Sequence, residues 1–247
     1  MHIWFYALIS VAAVSLISLI GIFVFTLSDE KTKKISLFIV SFAVGGLFGD
    51  AFIHLLPEAF KKTDATLVVS LGVIIGVLLF FCLEKFLRWR HCHVPEGEGH
   101  KHPLVAMNLV GGTAHNFIDG MIIGASYLVS VPIGLTTTLA IIFHEIPQEF
   151  SHFGIFIHSG ILKRKALLFN FLSALAAVLG TVLALLIGTR ISSFASFMLP
   201  LTAGGFLYIA GSDLIPELHH ETKISTSLGQ LVSIICGVGV MALLVFV

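Results

Sequence analysis

The stretches His115-Asn116-Phe117-Ile118-Asp119-Gly120 and His144-Glu145-Ile146-Pro147-Gln148-Glu149 decide how the rest of the chain is read. Each interrupts a long apolar run near its middle. Ionisable side chains at that depth in a membrane are rare and usually functional. On an α-helix, residues three and four apart share a face. That spacing aligns His115, Asn116 and Asp119 on one helix. On the next helix it aligns His144 with Gln148 and Glu145 with Glu149. Pro147 donates no hydrogen bond, so the Phe143 carbonyl is expected to lose its helical partner. If the two helices face each other, imidazoles, amides and carboxylates surround one small volume.

Charge balance makes that volume a cation site. Asp119, Glu145 and Glu149 carry three negative charges if ionised. At about 3 kcal/mol each on the insertion scale, that costs roughly 9 kcal/mol. Neither stretch contains a Lys or Arg to offset it. A divalent ion or protons must do so. Mixed imidazole and carboxylate ligands suit zinc, iron or manganese better than magnesium or calcium. A network that only locks helices together is the structural alternative, but such a network does not require three carboxylates without a basic partner.

The composition agrees with a membrane setting. Of 247 residues, 57% are hydrophobic and 11% charged, against about 25% charged in an average soluble domain. Mean hydropathy is +1.02. The three cysteines, Cys82, Cys92 and Cys236, form no disulfide framework. Residues 1–27 lack a basic leading segment and stay apolar too long for a signal peptide, so they read as a first spanning helix.

Eight apolar runs follow: 3–27, 35–59, 66–88, 104–129, 132–158, 164–188, 194–218 and 226–247. The expected fold is an all-α integral membrane protein of eight transmembrane helices, with residues 1–247 forming a single polytopic domain. Runs 4 and 5 are joined by only a short link at Ser130-Val131, so they form a tight antiparallel pair. His115 and His144 then lie about 17 Å deep, close to the midplane of a core about 30 Å thick. Eleven of the 14 Lys and Arg fall on one side of these spans. That side should be cytoplasmic, with both termini extracytoplasmic.

An internal repeat is also present. Residues 45–58 (GGLFGDAFIHLLPE) lie over residues 204–217 (GGFLYIAGSDLIPE) at a constant offset of 159. The matched runs, 2 and 7, cross in opposite directions. This predicts an inverted repeat of helices 1–3 and 6–8 around the central pair, with polar sites near mid-membrane, as in transporters. Asp50 and His54 would lie toward the outer end, and Asp213 and Glu217 toward the inner end. His152 and Asn170 continue the polar track inward. Such a series of weak sites suits conduction or alternating access. The loop at about 89–103 carries His91, His93, His100 and His102 and reads as a cytoplasmic metal-binding tract.

At these residues the chain strongly resembles the ZIP family of zinc and iron transporters, specifically its histidine-rich branch. The HNFIDG and HEIPQE motifs carry the resemblance, with the Leu-Leu-Pro-Glu end of run 2, the Asp-Leu-Ile-Pro-Glu end of run 7 and Phe169-Asn170-Phe171-Leu172-Ser173-Ala174. The resemblance implies uptake of a divalent metal into the cytosol through a central, often binuclear site. Zn2+ is the expected cargo, with Fe2+, Mn2+ or Cd2+ as alternatives. It further implies that His115, His144 and Glu149 are primary-site ligands. Asn116, Asp119, Glu145 and a bridging Glu149 would be second-site ligands. Runs 1, 4, 5 and 6 would move as a block against runs 2, 3, 7 and 8. Gln148 stands where many members have His, and Asn170 where some carry a carboxylate. Lipid and a second copy of the chain are the expected partners, without nucleic acid. The apparent lack of an ectodomain points to a bacterial inner membrane. The rival reading is an intramembrane zinc-dependent hydrolase. A zinc-protease helix needs His-Glu-x-x-His, and Gln148 occupies the second His position.

Overall fold

A computed structural model describes residues 2–20, 29–63, 65–89, 101–158, 160–191, 193–219 and 223–246. Among them there is no strand; the chain runs from helix to helix. The helices are α1 (His2–Ile17), α2 (Asp29–Gly49), α3 (Leu56–Lys62), α4 (Thr66–Trp89), α5 (Lys101–Val129), α6 (Val131–His158), α7 (Lys163–Gly188), α8 (Phe194–Tyr208), α9 (Ile215–Leu218) and α10 (Ile224–Leu243). Two π-helical segments, Asp50–Leu55 and Ile209–Leu214, join α2 to α3 and α8 to α9 without a break.

Among the described residues, five helical stretches are long and apolar enough to cross a membrane: Leu37–Lys62, Thr66–Lys85, Lys163–Gly188, Phe194–Leu214 and Ile224–Phe246. The apolar part of α1 is shorter, as is Val131–Ile146 of α6. In α5 the polar cluster dilutes the apolar character that marks a span.

Local chemistry sets the joints that matter. Ser130 alone separates α5 from α6. Its hydroxyl accepts the Ile133 N–H at 3.3 Å, an N-cap that starts α6 at once. Gly160, at φ +82°, makes the turn toward α7; a left-handed residue there favours glycine. α6 continues through Pro147 to His158.

Packing divides the helices into two bodies. One contains α1, α5, α6 and α7; the other contains α2, α4, α8 and α10. Within each body, glycines bring backbones together. A methyl on Gly120 would overlap the Ala177 carbonyl, and one on Gly180 the Phe117 carbonyl, which locks α5 to α7. Gly45 and Gly237 do the same for α2 and α10, as do Gly76 and Gly204 for α4 and α8. Small residues are the usual means of close helix approach in membranes. α1 docks through polar contacts as well: Ser10 Oγ lies 2.6 Å from the Tyr127 hydroxyl, and Ser15 donates to the Ala174 carbonyl.

The Gly180→Ala variant should therefore destabilise the protein by about 1–3 kcal/mol through overpacking. Thermal unfolding in detergent checks it. Gly239→Ala, where an added methyl meets nothing within 4 Å, should leave the midpoint unchanged or slightly raised.

Candidate metal centre

The tight turn at Ser130 lays α5 and α6 side by side and brings the two motifs to one level. Four ligand-type atoms converge there, all within 4.8 Å of one another: one each from His115, Asp119, His144 and Glu145. His144 Nε2 lies 3.2 Å from Asp119 Oδ2, 3.5 Å from His115 Nε2 and 3.7 Å from Glu145 Oε1. His115 Nε2 lies 3.5 Å from Asp119 Oδ2 and 3.6 Å from Glu145 Oε1. Ligands about 2.1 Å from a tetrahedral zinc stand about 3.4 Å from each other. The five separations bracket that edge.

The surroundings favour binding over mere packing. His144 Nδ1 faces the Ala140 carbonyl at 3.2 Å. That bond holds the proton on Nδ1 and leaves the Nε2 lone pair toward the cluster, the usual support for a ligating histidine. Phe206 packs edge-on to His144, and Phe80 to His115. Asp119, His144 and Glu145 are almost fully buried, while the His115 side chain keeps 14% exposure. Asp119 Oδ1 and Glu145 Oε1 have no hydrogen-bond partner among the described residues. Buried polar atoms without partners are uncommon and call for an explanation.

Glu149 is not one of the four. It lies a turn further along α6, in contact with the Asn116 side chain. The Asn170 amide donates to the Glu149 backbone carbonyl at 3.3 Å. Asn116 also donates to the Gly112 carbonyl at 3.0 Å, and the His152 ring packs against Gly112. Asn116, Glu149, His152 and Asn170 thus form a second polar layer beside the first. The set implied by resemblance, His115 with His144 and Glu149, is therefore split between two layers. Gln148 is half-buried.

A cavity of about 70 Å³ leads away from the cluster, lined by Phe80, Leu83, Glu84, His115, Tyr208, Ile209 and Asp213. Asp213 belongs to the expected track. Glu84 and Tyr208, which hydrogen-bond each other, escaped the sequence reading, although an acid near the end of an otherwise apolar run was a usable signal. At the opposite end, Asp50 and His54 are buried, and His54 Nε2 lies 2.9 Å from the Met241 carbonyl. Of Glu217 and His102, only the backbone falls among the described positions; His91, His93 and His100 lie outside the described residues.

Comparison with known proteins gives a consistent result. A family model described as the ZIP zinc transporter matches residues 1–105 and 90–245. The zinc transporter ZIP13 of Pongo abelii is 37% identical over 83% of this chain and 65% of its own length. The zinc transporter SLC39A7 of Rattus norvegicus is 28% identical, covering 98% of this chain and 72% of its own length. The zinc transporter YKE4 of Saccharomyces cerevisiae is 30% identical, covering 88% and 72%.

Calorimetric titration of purified protein with Zn2+ checks the geometry. Loss of a supporting partner alone weakens metal sites 10–100-fold, so His144→Ala or Asp119→Ala should weaken binding by at least about 100-fold. Ligands must be deprotonated to bind metal, so wild-type affinity should fall as pH is lowered from neutral to mildly acid.

Proposed function

The chain belongs to the ZIP zinc transporter family, and from that membership we propose that it carries Zn2+ across a membrane into the cytosol. The observation that carries this reading is the cluster of His115, Asp119, His144 and Glu145, whose spacing matches the edges of a zinc coordination shell. These four hold the ion in transit. Asn116, Glu149, Asn170 and His152 make the adjoining layer, a second station for the same cargo. Iron, manganese and cadmium are chemically admissible at such nitrogen and oxygen sites. The protein is a transporter and not an enzyme. The hydrolase reading required a His at position 148, where Gln148 stands instead.

The chain forms one transporter domain of eight spans with an inverted repeat. Two features support the repeat. The π-helical segments Asp50–Leu55 and Ile209–Leu214 begin and end at the same offset of 159 as the sequence match. The pairing of α2 with α10 through Gly45 is mirrored by that of α8 with α4 through Gly204. The excess of Lys and Arg on one side assigns that side to the cytosol and both termini to the other. The relatives named above are eukaryotic, so the expectation of a bacterial inner membrane draws nothing from them. Exposed apolar side chains on α4, α7 and α10 meet lipid, and a homodimer would bury part of them.

Transport follows from access. In this form the cavity opens His115 toward Glu84 and Asp213, while Asp50 and His54 are shut away. That is the inward-facing state. Zinc arrives past Asp50 and His54 in the alternate state, settles on the four ligands, and leaves along the cavity as α1, α5, α6 and α7 shift against α2, α4, α8 and α10.

Proteoliposomes containing a zinc-sensitive dye test the proposal. Wild-type protein should give saturable zinc influx, and His144→Ala and Glu145→Ala should reduce it to background. Influx at the wild-type rate with His144→Ala would overturn the reading.

A further inference from the structure

Among the described residues of the α1, α5, α6 and α7 body, the inner end carries charge of one sign only. The start of α5, the end of α6 and the start of α7 meet at that end. Between Lys101 and Ile118, and again from Phe150 to Gly188, the sequence has no Asp or Glu. It has Lys101, Lys163, Arg164 and Lys165 instead. The acids nearest in sequence, Asp29 and Glu30, belong to α2 of the other body and are followed by Lys31, Lys33 and Lys34. Lys163, Arg164 and Lys165 are exposed, and Leu162 just before them is 78% exposed. These residues follow the turn at Gly160. Phe153, Phe156 and Ala166 are buried beneath it, with Ile157 and Ile161 packed on them. The patch is therefore fixed to the helices and not carried on a loose loop.

Position along α7 says what such a patch meets. The helix has 26 residues, which makes about 39 Å of helix against a hydrocarbon core about 30 Å thick. Its first turn therefore reaches the headgroup layer. Arg164 shares one face of α7 with Leu168, Leu172, Leu175 and Leu179, all within about 80° around the axis. Those leucines are exposed, and in a membrane they lie against acyl chains. An acyl chain that follows them ends at Arg164. Lys165 stands beside it, with Nζ 5.5 Å from the centre of the Phe169 ring. An aromatic face under an ammonium steadies it at the interface. Basic side chains just cytosolic of a spanning helix attract anionic headgroups. A guanidinium also pairs two parallel N–H groups with a phosphate. A soluble anion would gain the charge but nothing from the leucines.

We propose that Lys163, Arg164 and Lys165, with the exposed leucines of α7, form a binding site for an anionic phospholipid of the cytosolic leaflet. The headgroup phosphate sits on Arg164 between the two lysines, and an acyl chain follows the leucine stripe. The site belongs wholly to the body that shifts against α2, α4, α8 and α10. A lipid held there ties that body to the leaflet surface, so the rate of zinc influx depends on the anionic lipid content of the membrane. That dependence and the choice of leaflet rest on the transport reading; the binding itself does not.

The test uses the full chain purified in a neutral detergent. Its unfolding midpoint is followed as phosphatidylglycerol, phosphatidylcholine or inorganic phosphate is added. Phosphatidylglycerol should raise the midpoint, and the other two should not. Each basic side chain near an anionic surface is worth about fivefold in binding, so Arg164→Gln should raise the lipid concentration needed about fivefold, and K163Q/R164Q/K165Q about 100-fold. Zn2+ binding should stay within about twofold in both, as expected for distant sites. The charge-keeping variant K163R/R164K/K165R should retain most of the response, which separates lost binding from faulty folding. Lys61→Gln and Lys62→Gln, at the end of α3, should leave the response as in wild type. An equal response to phosphatidylcholine or to inorganic phosphate, or an undiminished response in K163Q/R164Q/K165Q, would overturn the proposal. In proteoliposomes, zinc influx should rise with phosphatidylglycerol content for the wild type and stay flat for K163Q/R164Q/K165Q. The same rise in both would overturn the link to transport. Absence of zinc influx in the wild type would instead overturn the transport reading, and the midpoint would still decide the site.

Discussion

Carboxylates enclosed in apolar surroundings with no basic partner are the constraint on which this structure depends. Asp119, Glu145 and Glu149 are all buried on α5 and α6, and neither motif supplies a Lys or Arg. A passing cation would complete that charge balance. A resident structural zinc is treated differently, with four ligands in a closed shell, usually rich in thiolate. Here the described cysteines, Cys82 and Cys236, are exposed and not members of the cluster. Nitrogen and oxygen groups, with the His115 side chain 14% exposed, suit an ion that has to be both bound and released.

The scaffold around those charges has two kinds of contact. Inside each body, glycines press backbone against backbone: Gly120 and Gly180 between α5 and α7, Gly45 and Gly237 between α2 and α10. A shift of one helix past the other would drive a carbonyl into a neighbouring chain, so these pairs move as units. Between the bodies the contact is made by side chains. Phe143 of α6 packs edge-on to Phe42 at 4.7 Å and covers Gly46 of α2. Rings can slide and change rotamer where backbones cannot. Rigid bodies joined by a side-chain seam are the mechanical requirement for reorientation around a fixed site.

Much of this was legible in the sequence, and the part that was not has a physical cause. The His115/Asp119 pair at helical spacing sits together as expected, because four residues make nearly a full turn. Choosing between Glu145 and Glu149 needed more than face periodicity, since His144, Glu145, Gln148 and Glu149 all lie on one broad face. The register supplied it. Ser130 is the only residue between α5 and α6, and His115 and Glu145 are each fifteen residues from it. In an antiparallel pair they must stand opposite each other, while Glu149 stands level with the Gly112 region. Glu84 and Tyr208 were overlooked for another reason. Their partners lie on different helices, and no periodicity within one run reveals that α4 and α8 cross there. Apolarity alone marks five spans among the described residues, and α5 is not one of them because its polar cluster makes it less uniformly apolar.

The two ends of the molecule carry the last step of the argument. On the proposed repeat, His54 occupies the place of Asp213, and each lies inside a π-helical segment followed by a proline-bearing turn. Yet His54 is buried against the Met241 carbonyl, whereas Asp213 lines an open cavity. Equivalent backbone with inequivalent exposure is a difference of state, not of construction. A structure that can be shut at one end and open at the other by the same local geometry can also be open and shut in reverse. In that reversed state Asp213 would be enclosed, and His54 and Asp50 would face the outer solution. The wide π turns suit this role, because they interrupt the regular helical ladder where each body must bend.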